Sequence, residues 1–95
     1  MGKRANKRLS ICVSGRVQGV GFRFFVRSKA QQYGLSGWVR NCSNGDVALE
    51  AQGEPGPLER FREDVRQGPP MGEVDAMHVA EIEPEPSEYF FEIRH

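Results

Sequence analysis

Gly15-Arg16-Val17-Gln18-Gly19-Val20-Gly21-Phe22-Arg23 places three glycines directly before an arginine that opens an amphipathic pattern. On its amino-terminal side, Leu9, Ile11 and Val13 alternate with Ser10, Cys12 and Ser14. That is the period of a strand with one buried face, over Lys7 to Ser14. On its carboxy-terminal side, Phe22, Phe25, Val26, Ala30 and Tyr33 recur at helical spacing, with Arg23, Arg27, Lys29, Gln31 and Gln32 outward and Gly34 as a stop. The spacing predicts a helix of about three turns beginning near Phe22. The stretch is therefore a strand-to-helix turn. Its glycines permit positive φ, so that successive backbone N–H groups can converge on an anion. A helix N-terminus adds unpaired amides and its dipole, and Arg23 can fork two donors onto phosphate oxygens. A plain connection whose glycines serve only the turn would have the same local sequence, so the loop by itself leaves both readings open.

Working outward, Leu35 to Asn41 reads as a second strand carrying Trp38 and Val39. Asn44-Gly45 signals a hairpin into a third, Asp46 to Gln52, with Val47, Leu49 and Ala51 on one face. Leu58, Phe61 and Val65 form the stripe of a second helix, with Pro57 in its first turn and Gly68-Pro69-Pro70 closing it. Val74 to Ile82 predicts a fourth strand in which Val74, Met77 and Val79 change parity, the mark of a bulge. Tyr89, Phe91 and Ile93 predict a last strand after the breaks at Pro84 and Pro86. This βαββαβ order predicts a ferredoxin-like α+β sandwich: an antiparallel sheet of four to five strands with two helices on one face. Residues 1–6 are expected to be a flexible basic tail and 7–95 a single domain. The fold hosts RNA binders, metal chaperones, regulatory modules and enzymes, so it does not choose among functions.

Ninety-five residues leave room for one domain and one modest core. Thirteen basic and thirteen acidic residues cancel, which argues against general nucleic-acid binding. Their distribution is uneven, because no acidic residue precedes Asp46 while Lys3, Arg4, Lys7, Arg8, Arg16, Arg23, Arg27, Lys29 and Arg40 all do. The first half is expected to attract anions if the two halves present different faces, with Arg40 and the run Lys3 to Arg8 as solvated charges. No segment is long and apolar enough for a membrane helix, and the basic start runs into strand-like alternation, so a cytoplasmic location is expected. Cys12 and Cys42 are too few and too far apart for a metal site without more ligands than His78 and His95. They are expected to be free, mostly buried thiols.

A second motif, Gly37-Trp38-Val39-Arg40-Asn41, runs from the second strand toward Gly45, Val47 and Gly53. If the loop holds a phosphate, the carboxamide of Asn41 can accept from a water and donate to it without acting as a base. It can equally cap the strand or begin the turn. The two motifs together resemble the paired signatures of the acylphosphatase family, and the similarity runs from about residue 7 to the end. The resemblance implies a metal-free, cofactor-free hydrolase that cleaves acyl phosphates to a carboxylate and inorganic phosphate. It implies that Arg23 grips the phosphoryl group beside a backbone cradle formed by Arg16, Val17, Gln18, Gly19 and Val20, and that Asn41 orients the attacking water. The expected partners are the small-molecule acyl phosphate and its phosphate product, with no nucleic acid and no membrane, and the chain is expected to be a monomer.

Residue chemistry fits that expectation. A phosphomonoesterase has to protonate a poor alkoxide leaving group or ligate it with a metal, and no well-placed histidine or carboxylate stands near the loop in sequence. An acyl phosphate releases a carboxylate whose conjugate acid has a pKa of roughly 4, so no general acid is needed. The remaining side chains have structural expectations. Arg16 and Gln18 are expected to offer their backbone with solvated side chains, Trp38 to pack in the core or on the sheet, Phe24 to be a partly exposed aromatic, and Glu81, Glu83, Glu85 and Glu88 to form a solvated edge. An RNA-recognition module would need aromatics displayed on central strands, where this chain has Ser10, Cys12, Ser14, Ala48 and Glu50. A non-catalytic phosphate sensor, or a fragment like the domain that begins the hydrogenase-maturation carbamoyltransferases, is the other alternative. No zinc-finger or transferase sequence follows here, so a stand-alone enzyme is expected.

Overall fold

The computed structural model describes residues 6–95, and the basic tail expected at the start lies, through residue 5, outside them. Seven elements follow in order: β1 Lys7–Arg16, α1 Phe22–Gln32, β2 Ser36–Asn41, β3 Val47–Gly53, α2 Pro55–Gln67, β4 Glu73–Ile82 and β5 Phe91–Arg94. They form one sheet in the order β4-β1-β3-β2-β5 with both helices packed on it. This is the ferredoxin-like sandwich that the sequence predicts, with one correction: the five-stranded sheet is mixed rather than wholly antiparallel.

Alternation sets the register. Leu9, Ile11 and Val13 lie beside Ala51, Leu49 and Val47 of β3, and Val39 of β2 lies beside Leu49. All of these face the helices and are buried. Phe22, Val26 and Ala30 of α1 and Leu58, Phe61 and Val65 of α2 close over them, with Phe61 and Phe91 edge to face at 6.3 Å between ring centroids. The parity change in β4 is a bulge: Ser14 pairs with Ala76 and Gly15 with Val74, which leaves Asp75 as the extra residue.

Four strands pair antiparallel, and β5 joins the edge of β2 in parallel, Phe91 beside Gly37 and Ile93 beside Val39. The direction of β5 follows from its connection, which carries the chain from the far edge strand, β4, across to the other edge. Tyr89 falls outside β5 and is 78% exposed, because pairing with β2 begins only at Phe91. The hairpin closes between Cys42 and Asp46, whose carbonyl accepts from the Cys42 amide at 2.8 Å, so its tip is Ser43 to Gly45 rather than Asn44-Gly45 alone.

Arg8 and Glu88 depart from the solvated roles expected of them. Arg8 is 4% exposed and lies between Glu50 at 2.9 Å and Glu88 at 2.6 Å, with a further bond to the side-chain oxygen of Gln52. Burial opposes its charge, but hydrogen bonds and charge from Glu88 and Glu50 outweigh it and hold the guanidinium pKa above its ordinary value. Lys29 and Asp64 add a looser pair at 3.6 Å. Basic first half and acidic second half are thus interleaved by the sheet rather than set on opposite faces. The thiols of Cys12 and Cys42 are free and half-buried. Burial pushes the Cys12 thiol up, and the charge of Asp46 and a thiol-to-carboxylate contact at 3.6 Å reinforce the shift, so it stays protonated.

Removing Arg8 leaves two carboxylates without their common partner. Arg8→Ala is expected to lose about 2 to 3 kcal/mol in urea unfolding, whereas Glu88→Gln loses about 1 kcal/mol or less. Equal losses would contradict the central place of Arg8 in the cluster.

Candidate functional site

The crossover through α1 makes β1 and β2 run in the same direction, with β3 between them. The loop that follows β1 and the last residue of β2 therefore meet at one end of the sheet. There a cavity of about 180 Å³ is lined by Val17, Gly19, Gly21, Phe22, Arg23, Phe24 and Asn41. Larger recesses of about 330, 410 and 450 Å³ lie elsewhere: one at the opposite end of the sheet beside Tyr33 and Gln52, one between α2 and β4, and one beside Phe90 and Glu92. The first touches Gly53 and the last Gly37, but none of the three contains Arg23, Asn41 or any residue of the loop after β1.

The loop has the backbone that its glycines allow. Gly19 and Gly21 hold φ of 75° and 77°, and a Cβ at either would meet nothing within 4 Å. Their requirement is conformational and not one of space. Gly21 is also the N-cap of α1, with no side-chain cap, so the first amides of the helix stay open toward the cavity end. Among the described residues, the backbone N–H groups of Gln18, Gly19 and Val20 donate to no carbonyl or side chain. Unpaired amides of a loop and of a helix N-terminus thus share one end of the molecule.

The sequence-predicted residues separate into two groups. Val17, Gly19, Arg23 and Asn41 come together around the cavity. Arg16 is the last residue of β1, paired with Glu73 and exposed. Val20 packs partly buried against the core. Gln18 departs from the solvated role expected for its side chain: its amide nitrogen donates to the carbonyls of Cys42 and Asp46, both at 2.8 Å. One side chain thereby ties the loop to the β2–β3 hairpin, directly after Asn41.

Arg23 is half-buried, and its Nη1 lies 3.5 Å from the carbonyl oxygen of Arg94 and 3.3 Å from Nδ1 of His95. Among the described residues no carboxylate pairs with it, in contrast to Arg8. Sequence reasoning missed Gly21, Phe22 and Phe24 as lining residues and the closeness of Arg94 and His95. Adjacency to Arg23 in the chain carries a signal for the first three. No local signal exists for the last two, which β5 delivers by pairing with β2. On the open face of the sheet, Trp38 carries the guanidinium groups of Arg94 and Arg40 at 4.9 and 5.7 Å from its ring.

Fold and site together define a small ferredoxin-like α/β domain with an open-amide loop at the end of its sheet and, beside it, an arginine that pairs with no carboxylate among the described residues. The family model for acylphosphatase matches residues 9–93. An acylphosphatase of Geobacillus thermodenitrificans is 40% identical over 87 residues, 92% of this chain and 93% of that protein. One of Chlorobaculum tepidum is 48% identical over 77 residues, 81% of this chain and 84% of its own. The crystal structure of acylphosphatase from Bacillus subtilis superposes with a TM-score of 0.90 at 38% identity, over 94% of this chain and 99% of that one. The chain belongs to the acylphosphatase family.

The Gln18 bridge sets an expected outcome. Gln18→Ala is expected to cost about 1 to 2 kcal/mol in urea unfolding and to speed amide exchange across residues 17–21. Unchanged exchange there would mean that the loop holds its shape without the hairpin.

Proposed function

We propose that the protein hydrolyses acyl phosphates by attack of water on phosphorus, without a metal. The observation that carries this reading is the make-up of the cavity: one guanidinium and one carboxamide beside a loop in which the amides of Gln18, Gly19 and Val20 are unpaired, with no carboxylate among the described lining residues. Such a set neutralises and orients phosphoryl oxygens. It has little to offer a leaving group that must be protonated.

The amides of the loop from Val17 to Val20 and the N-terminus of α1 receive the phosphoryl oxygens, whereas Arg16, paired at the end of β1, precedes them, and Arg23 adds charge-assisted hydrogen bonds. Its contacts to Arg94 and His95 are long and uncharged on the main-chain side, so a dianionic phosphoryl group competes with them readily. Asn41 accepts a hydrogen bond from the incoming water and holds it in line with the bond to be broken. The water oxygen bonds to phosphorus, the bond from phosphorus to the bridging oxygen breaks, and the acyl half leaves as a carboxylate with the electron pair. The proton of the water passes to a phosphoryl oxygen. Little covalent work falls on the protein, and electrostatic stabilisation supplies most of the rate.

The imidazole of His95 near Arg23 favours a second reading, a phosphomonoesterase with that ring as general acid. Turnover of acetyl phosphate against para-nitrophenyl phosphate, both with a chelator present, separates the two. The anhydride reading expects rapid hydrolysis of the first and very slow hydrolysis of the second. Comparable rates would favour the second reading.

Arg23→Ala is expected to lower kcat on the order of 10³-fold. Asn41→Ala is expected to lower kcat while leaving competitive inhibition by inorganic phosphate within about threefold, since its amide serves the water. Near-normal turnover in the first variant, or a parallel loss of phosphate affinity in the second, would contradict these roles.

A further inference from the structure

Phosphoryl binding leaves one wall of the cavity unused. Phe24 is 60% exposed, off the stripe by which Phe22, Val26 and Ala30 enter the core, yet it lines the same cavity as Arg23 and Asn41. No core packing accounts for an aromatic ring at that position. One turn further along α1, the guanidinium of Arg27 lies 5.5 Å from the ring centroid, a contact that limits the ring's freedom and keeps it beside the cavity.

An acyl phosphate has two ends with opposite requirements. The phosphoryl end takes charge and hydrogen bonds, which the loop and Arg23 supply. The acyl end carries the carbon skeleton away from phosphorus, and for it the cavity offers the exposed ring adjacent to Arg23. We propose that Phe24 is the acyl-side contact of the site and that it selects acyl phosphates bearing an aromatic or extended apolar group over small ones such as acetyl phosphate. This inference rests on acyl phosphate hydrolysis as the activity. A ring stacked on or edged against the acyl group contributes in proportion to the apolar surface it covers, so it discriminates by acyl size and leaves the phosphoryl chemistry to Arg23.

The test is the specificity ratio, kcat/KM for benzoyl phosphate over kcat/KM for acetyl phosphate, each corrected for spontaneous hydrolysis, in the wild-type protein, Phe24→Ala and Phe24→Tyr. The wild-type ratio is expected to exceed one, Phe24→Ala to lower it about fivefold or more, and Phe24→Tyr to keep it within about twofold. A ratio unchanged in Phe24→Ala, or lowered as far by Phe24→Tyr as by Phe24→Ala, would overturn the role of the ring while leaving the hydrolytic activity intact. Failure of the wild-type protein to hydrolyse either substrate would overturn both the activity and this inference.

Discussion

The molecule depends on one topological constraint: β3 lies between β1 and β2 and runs against both, so β1 and β2 point the same way. The chain between them has to cross over the sheet, and α1 makes that crossover while burying Phe22, Val26 and Ala30 on the strands. The glycine-rich loop is the only way from the end of β1 to the start of that helix. Asn41 ends β2 at the same level. Residues far apart in sequence thus become the two sides of one small cavity, and Gln18 pins the arrangement by bonding across to the hairpin.

Two arginines illustrate how the same side chain is put to opposite uses. Arg8 lies between Glu50 and Glu88, its charge compensated and its donors occupied, and it holds β1, β3 and the segment before β5 together. Among the described residues, the side-chain partners of Arg23 are a carbonyl and an imidazole at 3.3 to 3.5 Å. An arginine with long contacts and no carboxylate partner keeps most of its capacity to attract an anion. The open amides of the loop add partial positive charge on the same side. The resulting asymmetry lies along the sheet, from a neutralised end at Arg8 to a receptive end at Arg23.

Much of this was legible in the sequence, because the elements that build the site obey local rules. The alternation at Leu9, Ile11 and Val13, the helical stripe from Phe22 and the hydrophobic run of α2 each name their own buried face, and the parity change in β4 announced its bulge. That Arg23 and Asn41 would lie close together was legible through the motifs around them. Features that depend on long-range partners were not. Gln18 looked like any polar loop residue, since the carbonyls it bonds belong to the hairpin. Arg8 read as one of a run of solvated charges because both of its carboxylates lie far along the chain. The parallel direction of β5 and the exposure of Tyr89 follow from where the final connection lands, which no periodicity encodes.

The central claim is that backbone amides of the loop after β1, together with Arg23, receive the phosphoryl group. The most direct measurement is a titration of the ¹⁵N-labelled protein with inorganic phosphate, followed by amide and guanidinium chemical shifts. The account predicts that saturable shifts are largest for the amides of residues 17–21 and for the Arg23 side chain, with Arg8 and its surroundings unmoved. Saturable shifts centred elsewhere, or a loop that does not respond while phosphate binds, would contradict it.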